Sequence, residues 1–192
     1  MWRVLLIGFS MLLMLPVGRS MGTSFVLQNF EQLVSEAEQI MVGTVASTTS
    51  RKLPTGAIVT EVTFATPRVL KGAPMGEITL EVLGGTVGEE TLALAGVPQF
   101  ERGVTYLVFV KDNRTAIFPV VGGPQGLFQI KRDAATGQDL VFDAQGNPLP
   151  SHTVNDVLGL PSAPSSQEAL ALPAPLPLET FVHMIQTRLH LP

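Results

Sequence analysis

Three histidines, His152, His183 and His190, and the neighbouring carboxylates Glu89 and Glu90 are the residues whose types could carry proton or metal chemistry. A protein zinc site takes three or four ligands in a tetrahedral set. His183 and His190 fall roughly on one side of a helical terminus, but no set of carboxylates completes them. Glu179 precedes His183 at the i, i+4 spacing of an ordinary helix-surface pair. Glu89 and Glu90 would have to face the same way to act as an acid and a base, whereas adjacent strand residues point to opposite faces. A solvated loop is the expected setting for both. The chain contains neither a Gly-x-Ser-x-Gly elbow nor a His-Glu-x-x-His pair. With no cysteine, thiol catalysis, thiolate metal sites, disulfides and a lipidated cysteine are excluded together. No catalytic residue, cofactor site or metal site is therefore expected.

The remaining candidates lie on glycine-rich loops. "GGTVGEE" from Gly84 and "GGPQG" from Gly122 could present backbone N–H groups to an anion. Neither is followed by Lys-Ser/Thr or by a helix, and each stands between strands, which is the setting of a tight turn. The candidate binding surface comprises Gly84, Gly85 and Gly88, Pro98 and Phe100, and Gly122, Gly123, Gln125 and Gly126. The alternative is that these loops only reverse the chain. Asn113-Arg114-Thr115 forms a glycosylation sequon, meaningful only in a eukaryotic secretory host.

The elements that must position these loops are mostly strands. "VTYLVFV" (104–110) is apolar at nearly every position, as a strand buried on both faces reads. Lys111 to Arg114 is a polar turn, 115–121 a second strand, and 127–131 a third, with Phe128 and Ile130 on one face. These three predict an antiparallel meander. Upstream, 40–49 predicts the first strand, with Gly43 as a bulge or a close backbone approach, and 50–56 an exposed loop. The stretch 58–70 predicts a second strand that bends or runs at an edge at Pro67. Ile78, Leu80 and Val82 mark another strand ending at Gly84-Gly85, and 86–95 reads as a loop with an irregular strand. A short strand is expected at 140–142.

In "NFEQLVSEAEQ", Phe30, Leu33, Val34 and Ala37 form the stripe of an amphipathic helix, with Asn29 as N-cap and Gln32 completing a capping box. At the other end, Phe181, Val182, Ile185 and Leu189 share one side of a short helix that docks on the domain or serves a partner. The expected architecture is mainly β: a small antiparallel OB-like barrel, or a sandwich, with one packed N-terminal helix and a C-terminal helix after a proline-rich linker.

The 192 residues, 45% hydrophobic and 15% charged, suit one globular domain. The first residues stand apart from it. A short basic start precedes an apolar run over 4–17 and small residues at Gly18 and Ser20, the pattern of a signal peptide cleaved after Ser20 or Gly22. A membrane anchor is the alternative, but the run is shorter than the roughly 20 residues that span a bilayer. The predicted organisation is a signal peptide at 1–20, a barrel domain at 21–150, a proline-rich linker at 151–177 and a terminal helix at 178–192. The net charge of −4 becomes more negative once Arg3 and Arg19 leave with the leader. The basic residues are scattered, so no nucleic-acid surface is expected, and no stable membrane insertion is expected once the signal peptide is cleaved.

The ordered segments "LVSEAEQIMVGTV", "IVTEVTFATPRVLKG", "GGTVGE", "GVPQFERGVTYLVFV" and "VVGGPQGLFQI" resemble an uncharacterised family of exported bacterial proteins. In outline that family is similar to the OB-like barrel of the tissue-inhibitor-of-metalloproteinases (netrin-like) superfamily. The resemblance covers about residues 25–131. It implies a periplasmic or extracellular barrel that binds proteins, proteases among them. The zinc-chelating amino-terminal cysteine of those inhibitors has no counterpart here, and Val104 stands where the family pattern carries Glu. The function expected from the sequence is an exported, non-enzymatic binding module engaging another envelope or secreted protein. The alternatives are a hydrolase using Glu89, Glu90 or Asp112 in the barrel loops, and a structural envelope protein tethered by its C-terminal tail.

Overall fold

A computed structural model describes residues 28–73, 76–94, 97, 99–150 and 175–190. The predicted signal peptide, Pro98, His152 and the proline-rich stretch up to residue 174 lie outside these. The described chain is mainly β, with strands β1 (Gln39–Lys52), β2 (Ile58–Ala65), β3 (Arg68–Lys71), β4 (Glu77–Leu83), β5 (Gly85–Val87), β6 (Glu90–Leu92), β7 (Thr105–Val110), β8 (Leu127–Arg132) and β9 (Asp139–Phe142). Helices α1 (Phe30–Glu36) and α2 (Leu178–Leu189) stand at its two ends. Seven strands form one antiparallel sheet in the order β4-β2-β1-β7-β8-β9, with β3 also on β1, while β5 and β6 make a separate hairpin.

Strand β1 links the two halves of the sheet. Its first half pairs with β7 on one edge and β3 on the other, and its second half pairs with β2. The chain can use one long strand this way because β2 and β3 are separated at Thr66-Pro67, where Pro67 has no N–H to give a ladder. Gly43 is the point of close approach: a Cβ there would lie 3.0 Å from Pro67 Cβ and 3.2 Å from the Phe64 ring. The bulge itself falls further on, between Val45 and Ser47.

Two apolar clusters lie on the two faces of this sheet, and β7 feeds both. Leu107 and Phe109 join Ile40, Val42, Phe128 and the helices on one side, while Tyr106, Val108 and Val110 join Met41, Val62, Phe64 and Leu80 on the other. This alternation accounts for the unbroken apolar run at 104–110. Helix α1 begins with the expected capping box: Asn29 Oδ1 accepts from Gln32 N–H at 2.8 Å, and Gln32 Oε1 accepts from Asn29 N–H at 2.9 Å. Helix α2 lays Phe181, Val182 and Ile185 into the same cluster as Phe30 and Leu33.

The expected closed barrel is not formed as a continuous ladder; the sheet ends at β4 and β9. The space next to β4 is taken instead by the segment after β7. Asn113 bonds the β4 edge through its side chain, accepting from Glu81 N–H at 3.0 Å and donating to the Thr79 carbonyl at 2.8 Å, and Leu83 N–H donates to the Ile117 carbonyl. For this reason 115–121 is not the strand its apolar content predicts. Positive φ at Asp112 and Arg114 turns the chain out of extended geometry, leaving only a Val110–Val120 bridge. Strand β8 therefore pairs directly with β7. Two further differences are local: β1 continues through residues 50–52, expected as loop, and 86–95 supplies the β5–β6 hairpin.

Candidate functional site

The helix-covered face holds an apolar cleft of about 250 Å³ where α1, α2, β8 and the turn after β9 meet. Phe30 and Leu33 come from α1, Phe181 and Met184 from α2, Phe128 from β8, and Leu149 from the segment that follows β9. The aromatic rings are locked against one another. Phe181 sits 5.7 Å from Phe30 and 5.1 Å from Phe128, which in turn meets Phe109 at 6.0 Å, the last two contacts edge to face. Glu31 and Arg188 form an ion pair that ties the two helices.

Polar groups stand at the rim of this cleft. Gln125 Oε1 accepts from Gln28 N–H at 2.9 Å, fastening the 123–126 turn to the start of α1. Gln28 Nε2 donates to Glu36 at 3.1 Å, which leaves Oε1 as the acceptor end of that amide; it is buried and has no hydrogen-bond partner among the described residues. Asp143 has its carboxylate engaged by the N–H groups of Gln145 and Asn147 and by the Asn147 side chain. It holds its own turn shut.

On the other face, a cleft of about 290 Å³ opens between β1, β2, β4 and the β5–β6 hairpin. Its walls differ in chemistry. Thr48, Ser50 and Thr60 on the sheet and Thr86 and Thr91 on the hairpin are hydroxyl-bearing, while Val62, Leu92, Leu94, Val97 and Phe100 are apolar. Phe100 is the hub beneath, edge-on to Phe64 and Tyr106 and tilted against Phe118. The hairpin is anchored by Gly85, where a Cβ would come within 2.3 Å of Thr60 Oγ1 and 2.5 Å of Ser50 Oγ. An ion pair from Glu90 to Lys52 holds its far strand.

The structure divides the sequence-predicted surface between these two places. Gly84, Gly85 and Phe100 line the hydroxyl cleft, and Gln125 lines the apolar one; Gly88 turns the hairpin without lining either. "GGPQG" forms a single 3-10 turn, with Gly122 left-handed at its start and Gly123 and Gly126 buried. Gly126 has no room for a side chain, since a Cβ would sit 2.4 Å from the Val121 carbonyl. These glycines shape the fold around the clefts. Glu179 pairs with Arg68 at 2.6 Å, across from β3, instead of with His183. His183 and His190 are exposed, and among the described residues no three His, Cys, Asp or Glu side chains converge on a metal-sized site. Asn113, the sequon residue, has its amide committed to β4.

Shifted ionisations follow structural bonds. Burial pushes the Tyr106 hydroxyl above its ordinary range, its oxygen accepting from Glu101 N–H at 3.1 Å. Glu61 and Glu81 raise Arg51, Glu36 raises Lys111, and the Thr136 hydroxyl with two backbone N–H groups lowers Asp133. None of these four groups lines either cleft. Sequence reasoning did not find the apolar cleft, although its signal was present in the stripes of the two helices; which stripes face each other is a tertiary fact. Comparison of the chain with protein-family models, curated proteins and solved structures finds no match.

Proposed function

We propose that the chain is an exported binding module that accepts an apolar side chain or short apolar segment of another envelope or secreted protein into the cleft between α1 and α2. The observation that carries this reading is the lining. Phe30, Leu33, Phe128, Leu149, Phe181 and Met184 surround the space, with rim amides and one carboxylate already engaged in its turn. A concave, aromatic-rich wall with a polar rim is the anatomy of a protein-binding hot spot. Export is part of the same reading and rests on the apolar leader run and the lack of cysteine. An OB-like ancestry belongs to the same reading and rests on the ordered sequence segments over about residues 25–131.

The test is capture of co-exported proteins on the purified mature chain, run in parallel with Met184→Glu and Leu149→Glu. Both residues are only half-buried, and a circular-dichroism check that each variant is folded accompanies the capture. A partner retained by the parent chain and lost by at least about ten-fold on placing a charge in the cleft is expected, since an unpaired buried charge at an interface is strongly unfavourable. Capture that is blank, or indifferent to both substitutions, overturns the reading.

A further inference from the structure

We infer that the hydroxyl-lined cleft under the β5–β6 hairpin is a second, independent binding site, for an uncharged saccharide ring. Three observations lead there. First, no ionisable side chain lines the cleft. A charged ligand would shed hydration there and find no counter-charge, so the site selects neutral molecules.

Second, the hydroxyls are directed. Thr60 Oγ1 donates its proton to the Gly84 carbonyl at 2.7 Å, so in the 2.9 Å contact between Ser50 and Thr60 the donor is Ser50. Both protons are spent within the protein, so the capacity these two groups have left is acceptor capacity. Across the cleft, Thr86 and Thr91 bond each other at 3.0 Å, which commits one proton of the two. The hydroxyl walls thus carry more free acceptors than donors. A fitting ligand brings several O–H donors of its own.

Third, apart from the Gln99 amide and the Gly84-Gly85 backbone, the rest of the wall is apolar, with Leu92 and Leu94 on the hairpin side and Phe100 below. A pyranose ring has this two-sided character, hydroxyls around its rim and C–H groups across a face. The volume of about 290 Å³ lies at the small end of ligand sites, which run from about 300 to 1,000 Å³. It fits one or two rings. The hairpin is well held for the purpose, pinned by Gly85 against the Ser50–Thr60 pair and by the Lys52–Glu90 bridge.

The experiment is a heteronuclear NMR titration of the mature chain with glucose, galactose, N-acetylglucosamine and their disaccharides, with glucuronate and glucosamine as charged controls. Saturable amide shifts are expected at 85–92 and around Ser50 and Thr60 for at least one neutral sugar, and not for its charged counterpart. Thr86→Val combined with Thr91→Val, both exposed positions, should weaken binding about five-fold, the effect of losing a neutral hydrogen bond or two, while the hairpin amide pattern is retained. Absence of saturable shifts with every neutral sugar, equal response to the charged ones, or shifts confined to other parts of the fold each overturns the inference. None of these outcomes bears on the α1–α2 cleft, whose reading stands or falls by partner capture.

Discussion

The two faces of the sheet are closed by opposite means. On the helix side, elements from the two ends of the described chain meet over β8, and the join is made of large side chains: Phe30, Phe181 and Phe128 in mutual contact. On the hairpin side, the covering element follows β4 directly in sequence, and the join depends on an absent side chain, at Gly85. One face is sensitive to losing volume and the other to gaining it. The cleft on the first is held by packing, and that on the second by backbone contact and hydroxyl pairs.

Substitutions of opposite kind separate the two. Phe181→Ala removes the ring that joins both other aromatics and should lower stability by about 3–5 kcal/mol, the range for truncating a buried Phe. Denaturant unfolding would measure it, and a loss below about 1 kcal/mol would mean that α2 is not part of the cooperative core. Gly85→Ala adds one methyl and should cost about 1–3 kcal/mol through strain and displacement of the hairpin. Amide exchange at 85–92 should rise more than in the rest of the sheet. Gly88→Ala is its control: φ is also positive, but nothing lies within 4 Å, so the effect should be smaller. Equal effects at the two glycines would break the contrast. Asn113→Ala should cost about 1–2 kcal/mol, leaving Glu81 N–H and the Thr79 carbonyl without their bonds. Faster exchange of the Glu81 amide is the specific readout.

Local chemistry made much of the fold legible. The Asn29–Gln32 capping box, the break at Pro67 and the two-faced run at 104–110 each follow from rules that act within a few residues, and each appears in place. What escaped was set by distant partners. Residues 115–121 have strand composition, yet they are split between two distant edges, Ile117 accepting from Leu83 on β4 and Val120 bridging Val110 on β7, so no ladder forms along them. The glycine loops looked alike in sequence and serve different faces, because the turn at 123–126 is drawn to α1 by Gln28 and Gln125 whereas Gly84-Gly85 is drawn to Ser50 and Thr60. The terminal helix showed its stripe plainly. Its docking site required knowing that Phe30 and Phe128 share a cluster.

The stretch that leads into α2 enters beside the strand it left. Pro150 bridges Pro175, Leu176 N–H donates to the Leu149 carbonyl, and Val141 N–H donates to the Leu176 carbonyl. For protein engineering this makes a built-in clamp: Pro150 and Pro175, the residues that flank any insert replacing 151–174, are fixed next to each other by the fold itself. Loop-closure entropy grows slowly, about 0.6 kcal/mol for each doubling of length. A fluorescent domain or an affinity tag grafted there would be carried at nearly constant stability, beside the rim of the apolar cleft at Leu149, where it could report on whatever arrives.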